Sequence, residues 1–170
     1  GRACGVGDFG RKDQQDNGGD CRGWYPNGEC CYREGTIGCF MVPPMLEAFT
    51  RSKDSTYLSS ATRAYDHYVS ELKTKGYSTA GALDTWCIDK ESSISLLRSA
   101  LMLYNLTSNK EYLDDAVAGS YYLSTWLWHY NSVYPANDNF TQTNDKPFGA
   151  TPVSVHHHHL EQSPLFSAPA

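Results

Sequence analysis

From Cys39 onward, apolar positions recur at helical spacing, and the pattern itself recurs. Leu46 runs in step with Leu101, Phe49 with Tyr104, Asp54 with Asn109, Tyr57 with Tyr112 and Ala61 with Ala116, each pair 55 positions apart. A fixed offset that carries apolar, turn and aromatic positions together marks a repeated supersecondary unit. Each unit reads as a helix hairpin. Ile94 to Tyr104 is apolar nearly all round, with Arg98 its only charge, which predicts an inner helix buried on most sides. A turn follows, where Asn109 can cap the next helix; Asp54 or Ser55 can do the same in the first unit. The second helices carry one-sided stripes: Tyr57, Leu58, Ala61, Tyr65, Tyr68 and Leu72, then Tyr112, Leu113, Ala116, Ser120, Leu123 and Leu127. Such helices pack on one face and are wet on the other. Pro43-Pro44 must sit in the first turn of the first inner helix or kink it. A third inner helix is expected to begin between Thr151 and His159, after a long polar loop from Val133 to Gly149 of a kind more often functional than structural.

Residues 1 to 35 are different: rich in Gly, Asp and Cys, with no apolar period, they read as loops and short strands pinned by disulfides. The chain thus divides into a Cys/Gly-rich segment, 1–38, and a helical-hairpin repeat region, 39–170, and its fold class is mainly α. The six Cys are Cys4, Cys21, Cys30, Cys31, Cys39 and Cys87. No C-x-x-C occurs, and adjacent Cys30-Cys31 suits neither zinc nor thioredoxin chemistry, so disulfides are the expected use. Connectivity is open among fifteen pairings, although Cys87 must reach back into the N-terminal cluster, with Cys39 or Cys31 the expected partners. Two glycosylation sequons, at Asn105 and Asn139, fit a secreted glycoprotein. The absence of an initiator Met and of a signal peptide is what a processed or trimmed chain would show.

A net charge of -5 without any Lys/Arg cluster argues against nucleic acid and against an anionic membrane surface. No apolar run is long enough to span a bilayer. Twelve Tyr and four Trp supply rings that can build a core or stack on sugars.

The buried-then-amphipathic helix repeat, Gly23-Trp-Tyr25 ahead of the first hairpin, and Ala82-Leu-Asp-Thr-Trp-Cys-Ile-Asp-Lys-Glu-Ser92 together resemble the (α/α) toroid of six-hairpin glycosidases and related polysaccharide-processing enzymes. Gly149-Ala-Thr-Pro-Val-Ser-Val-His-His-His-His-Leu160 looks like a further inner-helix entrance of that kind. The resemblance covers residues 23 to 160 and implies an incomplete toroid, which either more polypeptide or identical subunits would complete. It also implies parallel inner helices whose entrance loops gather at one mouth, and a poly- or oligosaccharide as partner.

Helix N-termini favour carboxylates, and glycoside hydrolysis generally needs two, one protonated and one ionised. Glu34 and Asp89 hold equivalent repeat positions ahead of the two inner helices, while Asp84, Asp89 and Glu91 crowd one entrance with Trp86. Asp84 has no capping duty and is the first choice for a working acid. Asp89 can equally cap the helix from Lys90 onward, Glu91 can complement the helix dipole, and Glu34 can be an ordinary loop carboxylate. Trp24, Tyr25 and Trp86 are candidate sugar platforms that can also be packing.

His156 to His159 are followed by eleven residues and read as native rather than as a terminal tag. Adjacent His residues on a helix diverge, so four cannot hold one ion; His156 and His159 could. The preferred reading has His156, His157 and His158 lining the cleft as donors to sugar hydroxyls, with no metal and no cofactor. Asp13-Gln-Gln-Asp16-Asn-Gly-Gly-Asp20 does not match a calcium loop and reads as an acidic turn. The expected function is an extracellular glycoside hydrolase. A lyase using Tyr and His is the alternative within enzymes, and a non-catalytic extracellular binding or structural glycoprotein the alternative outside them. Lanthionine cyclases and prenyltransferases share α/α rings but need a zinc site, for which no separate Cys/His set is present.

Overall fold

Two helix pairs carry the fold: α2 (Val42–Ser52) turns into α3 (Ser55–Lys75), and α4 (Glu91–Thr107) turns into α5 (Lys110–Ser124). The computed structural model describes residues 2–21, 23–79, 87–142, 146–152 and 160–161, with side chains for 5–21, 23–79, 87–139, 142 and 146–152. The two turns are one design used twice. Lys53 and Ser108 close the inner helices in the left-handed region, returning their N–H groups to Phe49 O and Tyr104 O. Asp54 and Asn109 follow in extended backbone, and their side chains accept from the N–H of Thr56 at 2.9 Å and of Glu111 at 3.1 Å. Each cap thereby satisfies a donor that the helix start leaves open.

Pro43 and Pro44 stand in the first turn of α2, where missing N–H groups cost least. Without a Pro43 donor, Cys39 O accepts instead from Val42 N–H and from the Ser95 hydroxyl, and Ile37–Met41 winds as a 3-10 turn leading into α2. This turn and α2 pack against α4, and the Val42, Met45, Leu46, Tyr65, Tyr68, Leu96, Ala100 and Leu103 side chains form one core. Burying a large apolar side chain contributes roughly 1.5–3 kcal/mol.

Helix α4 is not buried on most sides as expected, and its buried face is part serine. It carries Ser92, Ser93, Ser95 and Ser99 beside Leu96, Ala100 and Leu103, while Leu97 is half-buried and Leu101 is 43% exposed. Small hydroxyls bring α4 close enough for Ser95 Oγ to reach Cys39 O at 3.1 Å, while Leu97 and Leu101 face the less covered side.

The N-terminal segment corrects the loop reading, because α1 (Arg2–Asp13) is a helix packed on α2. Its buried side is made by glycine rather than by apolar periodicity. A Cβ at Gly7 would lie 3.1 Å from Ala48 Cβ and from the Tyr57 ring, and one at Gly10 would lie 2.7 Å from Met41 Cε. Tyr57 Oη donates to Asp8 at 2.6 Å across the same contact.

Among the described residues there are three two-stranded antiparallel ladders: β1 (Gly23–Trp24) with β2 (Cys30–Tyr32), β3 (Ser78–Thr79) with β4 (Ile88–Asp89), and β5 (Thr151–Pro152) with β6 (Leu160–Glu161). The long polar loop contains one short helix, α6 (Asn139–Gln142). Of the stretch between Thr151 and His159 where a third inner helix is expected to begin, Thr151 and Pro152 are strand, and residues 153–159 lie outside the described residues.

Among the described residues, the disulfide Cys21–Cys30 pins the N-terminal region. The expected bond from Cys87 to Cys39 or Cys31 is not made, and all three are free thiols. Cys39 packs in the core with its thiol donating to Ser92 O at 3.3 Å, and buried Cys87 turns its own toward Ile88 O. The Cys4 side chain lies outside the described residues.

Candidate functional site at the inner-helix mouth

The two inner helices start at the same end. Thr36, just ahead of the 3-10 turn, exchanges hydrogen bonds with Thr79: its N–H donates to Thr79 O at 3.0 Å, its hydroxyl donates to the same oxygen at 2.7 Å, and Thr79 N–H donates to its Oγ1 at 2.9 Å. Ser78 and Ser93 hydroxyls bond at 2.8 Å, and Ser78 also donates to Asp89 O. This buried hydroxyl network fastens the entrances of α2 and α4 together.

There lies an apolar depression of about 370 Å³, lined by Cys21, Trp24, Ile37, Gly38, Phe40, Met41 and Glu91. Local structure positions each part. The β1–β2 ladder and its disulfide hold Trp24, whose ring meets Phe9 edge-on at 5.0 Å and stays 38% exposed. Glu91 is the first residue of α4, beside the positive end of the helix. Gly38 lets the Tyr68 hydroxyl pass, since any Cβ there would overlap it.

The residues nominated from sequence separate accordingly. Trp24 and Glu91 are brought together. Asp89 is buried, and its Oδ1 accepts the Glu91 N–H at 2.8 Å, the capping role. Glu34 is exposed, accepts from the Arg33 N–H and does not line the depression; exposed Tyr25 does not either. Asp84, Trp86, His156, His157 and His158 lie outside the described residues. Asn105 and Asn139 are both exposed on the surface.

No protein-family model matches the sequence, and no curated protein or solved structure is significantly similar to it. The site therefore stands on its own geometry.

Sequence reasoning missed Asp20, which directly precedes the wall residue Cys21. Gly18 adopts a positive φ so close to α3 that a Cβ would meet Arg63 O at 2.3 Å, and this turn delivers Asp20 beneath α3. Burial pushes its carboxyl up to about 7, nearby Asp13 adds to the rise, and Arg33 and Arg63 oppose it. Its neighbours in sequence look like a solvated acidic turn, so nothing local announces the burial.

A second, larger groove of about 640 Å³ runs between α3 and α5, with Asp66, Glu111, Asp114 and Asp115 around Lys73 and Tyr112. Lys73 pairs with Asp115 at 2.5 Å, and buried Tyr65 donates to the same carboxylate at 3.1 Å. Burial and then Asp115 raise the Asp66 carboxyl. No metal-holding cluster of His, Cys, Asp or Glu occurs among the described residues. No helix among them is long and apolar enough to cross a membrane.

Proposed function

We propose that this chain belongs to an extracellular carbohydrate-active protein that binds saccharide in the depression between Trp24 and Glu91. The observation that carries the reading is that a part-exposed indole and a helix-start carboxylate share one concave apolar site where the 3-10 turn and the start of α4 meet. An indole face packs on the C–H surface of a sugar ring, and a carboxylate accepts from its hydroxyls. The disulfide beside Trp24 suits an oxidising compartment.

Glycoside hydrolysis is the preferred reaction. It needs a second carboxyl group, roughly 5–5.5 Å from the first for retention or roughly 6.5–9.5 Å for inversion. With Asp89 engaged as a cap, Asp84 is the candidate partner of Glu91. One observation favours binding without catalysis: among the described residues, Glu91 is the single carboxylate lining the depression.

The toroid frame is part of the same proposal. Val42 and Leu46 are fully buried, whereas Leu97 and Leu101, 55 positions on, are only partly covered. A further hairpin of the same repeat is the partner that fits this uncovered flank.

Incubation with a panel of neutral and uronate polysaccharides tests the reading. Hydrolysis releases reducing ends, a lyase releases ultraviolet-absorbing products, and a binding protein retains the ligand unchanged. Trp24→Ala should weaken retention in every case, and Glu91→Gln and Asp84→Asn should each abolish hydrolysis while leaving the fold intact. Retention unaffected by Trp24→Ala would remove the site from consideration.

A further inference from the structure

Asp20 is 1% exposed, and neither carboxylate oxygen has a hydrogen-bond partner among the described residues. Its backbone, by contrast, is held by a single group: the Asp20 N–H donates to Tyr68 Oη at 2.7 Å, and the Tyr68 hydroxyl faces Asp20 O at 3.4 Å. Around it stand Asp13 from α1, Arg33 beyond β2, Arg63, His67 and Tyr68 from α3, and Cys39 from the 3-10 turn. The cations are engaged elsewhere: Arg33 reaches Asp13 at 3.4 Å and Arg63 donates to Gln14 at 2.6 Å. Asp13 in turn accepts the Cys21 N–H at 2.6 Å.

We propose that Asp20 is a pH-dependent latch: protonated, it lets the wall of the depression formed by Cys21 and Trp24 sit closed on Tyr68, and ionised, it drives that wall open.

The physical reason is desolvation. A neutral carboxyl tolerates the site, whereas a carboxylate buried without donors is strongly disfavoured. It reaches water only if the backbone leaves the Tyr68 hydroxyl, which moves Cys21 and, through the disulfide, the β1–β2 ladder. The proton released goes to bulk solvent.

The sign follows from linkage. The closed state holds its proton up to about pH 7, and the open state has an ordinary carboxyl, near 3.8. Closure is therefore strongest below the open-state value and is lost as pH rises through the closed-state value. The opening constant should climb by about tenfold per pH unit across that window and level off above it. The latch does not depend on what the depression binds.

The experiment is carboxyl ¹³C titration of the intact chain, together with hydrogen exchange of the Asp20 amide from pH 4 to 8, corrected for the intrinsic rate. The expected results are a carboxyl midpoint near 7 and amide protection that falls across the same window. In Asp20→Asn the protection should be independent of pH, and in Tyr68→Phe it should be low throughout. His67→Gln, which removes the imidazole beside Tyr68, should leave the wild-type dependence intact. An Asp20 midpoint near 4 in the unmodified protein overturns the latch whether or not the variants fold. So does an Asp20→Asn variant that keeps the pH dependence.

Discussion

Lys53 and Ser108, 55 positions apart, adopt the same left-handed backbone, with φ of 61° and 59°. Each is preceded by a hydroxyl that bonds four residues back, Ser52 to Ala48 O and Thr107 to Leu103 O. The same hydroxyls accept the N–H groups of Asp54 and Asn109, at 3.1 and 3.2 Å. The repeat is thus reproduced down to single hydrogen bonds. Because a side chain is disfavoured in this conformation, Lys53→Gly and Ser108→Gly should each stabilise the protein by about 0.5–1 kcal/mol. Urea unfolding measures this, and destabilisation by either would contradict the assigned turn.

The caps should be separable from the turns. Asn109→Ala should cost about 1 kcal/mol by leaving the Glu111 N–H unbonded. At Asp54, hydrogen bonds from the Thr56 hydroxyl and N–H hold the carboxyl below its ordinary value. Its contribution is present above the ordinary carboxylate range and is lost as pH falls through the lowered value. Thermal unfolding of Asp54→Ala and wild type should therefore converge at acid pH; a constant gap down to pH 2 would argue against the cap.

Equivalent positions should differ in energy where their surroundings differ. Leu46→Ala, in the core, should cost roughly 3 kcal/mol, whereas Leu101→Ala should cost well under about 1 kcal/mol. Equal costs, read from denaturant midpoints, would mean that something covers the α4 flank.

The thiol assignments are checkable by alkylation. Burial pushes the Cys39 thiol up to about 12, with the Ser95 and Ser92 hydrogen bonds opposing. Cys39 and buried Cys87 should resist iodoacetamide until the chain unfolds, and Cys21 and Cys30 should react only after reduction. Mass spectrometry finding Cys87 in a disulfide would overturn the arrangement.

What was legible in the sequence was local. Asp54 and Asn109 act on N–H groups two residues away, so their role is visible in the chain itself. Helix α1 was hidden because glycine, the usual sign of a loop, here makes the contact surface at Gly7 and Gly10. The serine face of α4 was hidden because composition does not say which side meets α2. Asp89 was read both as cap and as acid, and geometry alone gives its carboxylate to the Glu91 N–H. Trp24 and Glu91 are far apart in the chain; that they line one depression depends on the β1–β2 ladder lying beside the start of α4.

The most direct measurement is amide and indole chemical-shift mapping of the intact chain during titration with oligosaccharides from the panel. The account predicts saturable shifts at the Trp24 indole and at the Gly38, Phe40 and Glu91 amides, removed by Trp24→Ala. Shifts confined to the α3–α5 groove around Asp66 and Asp115, or no saturable shifts with any saccharide, would contradict it.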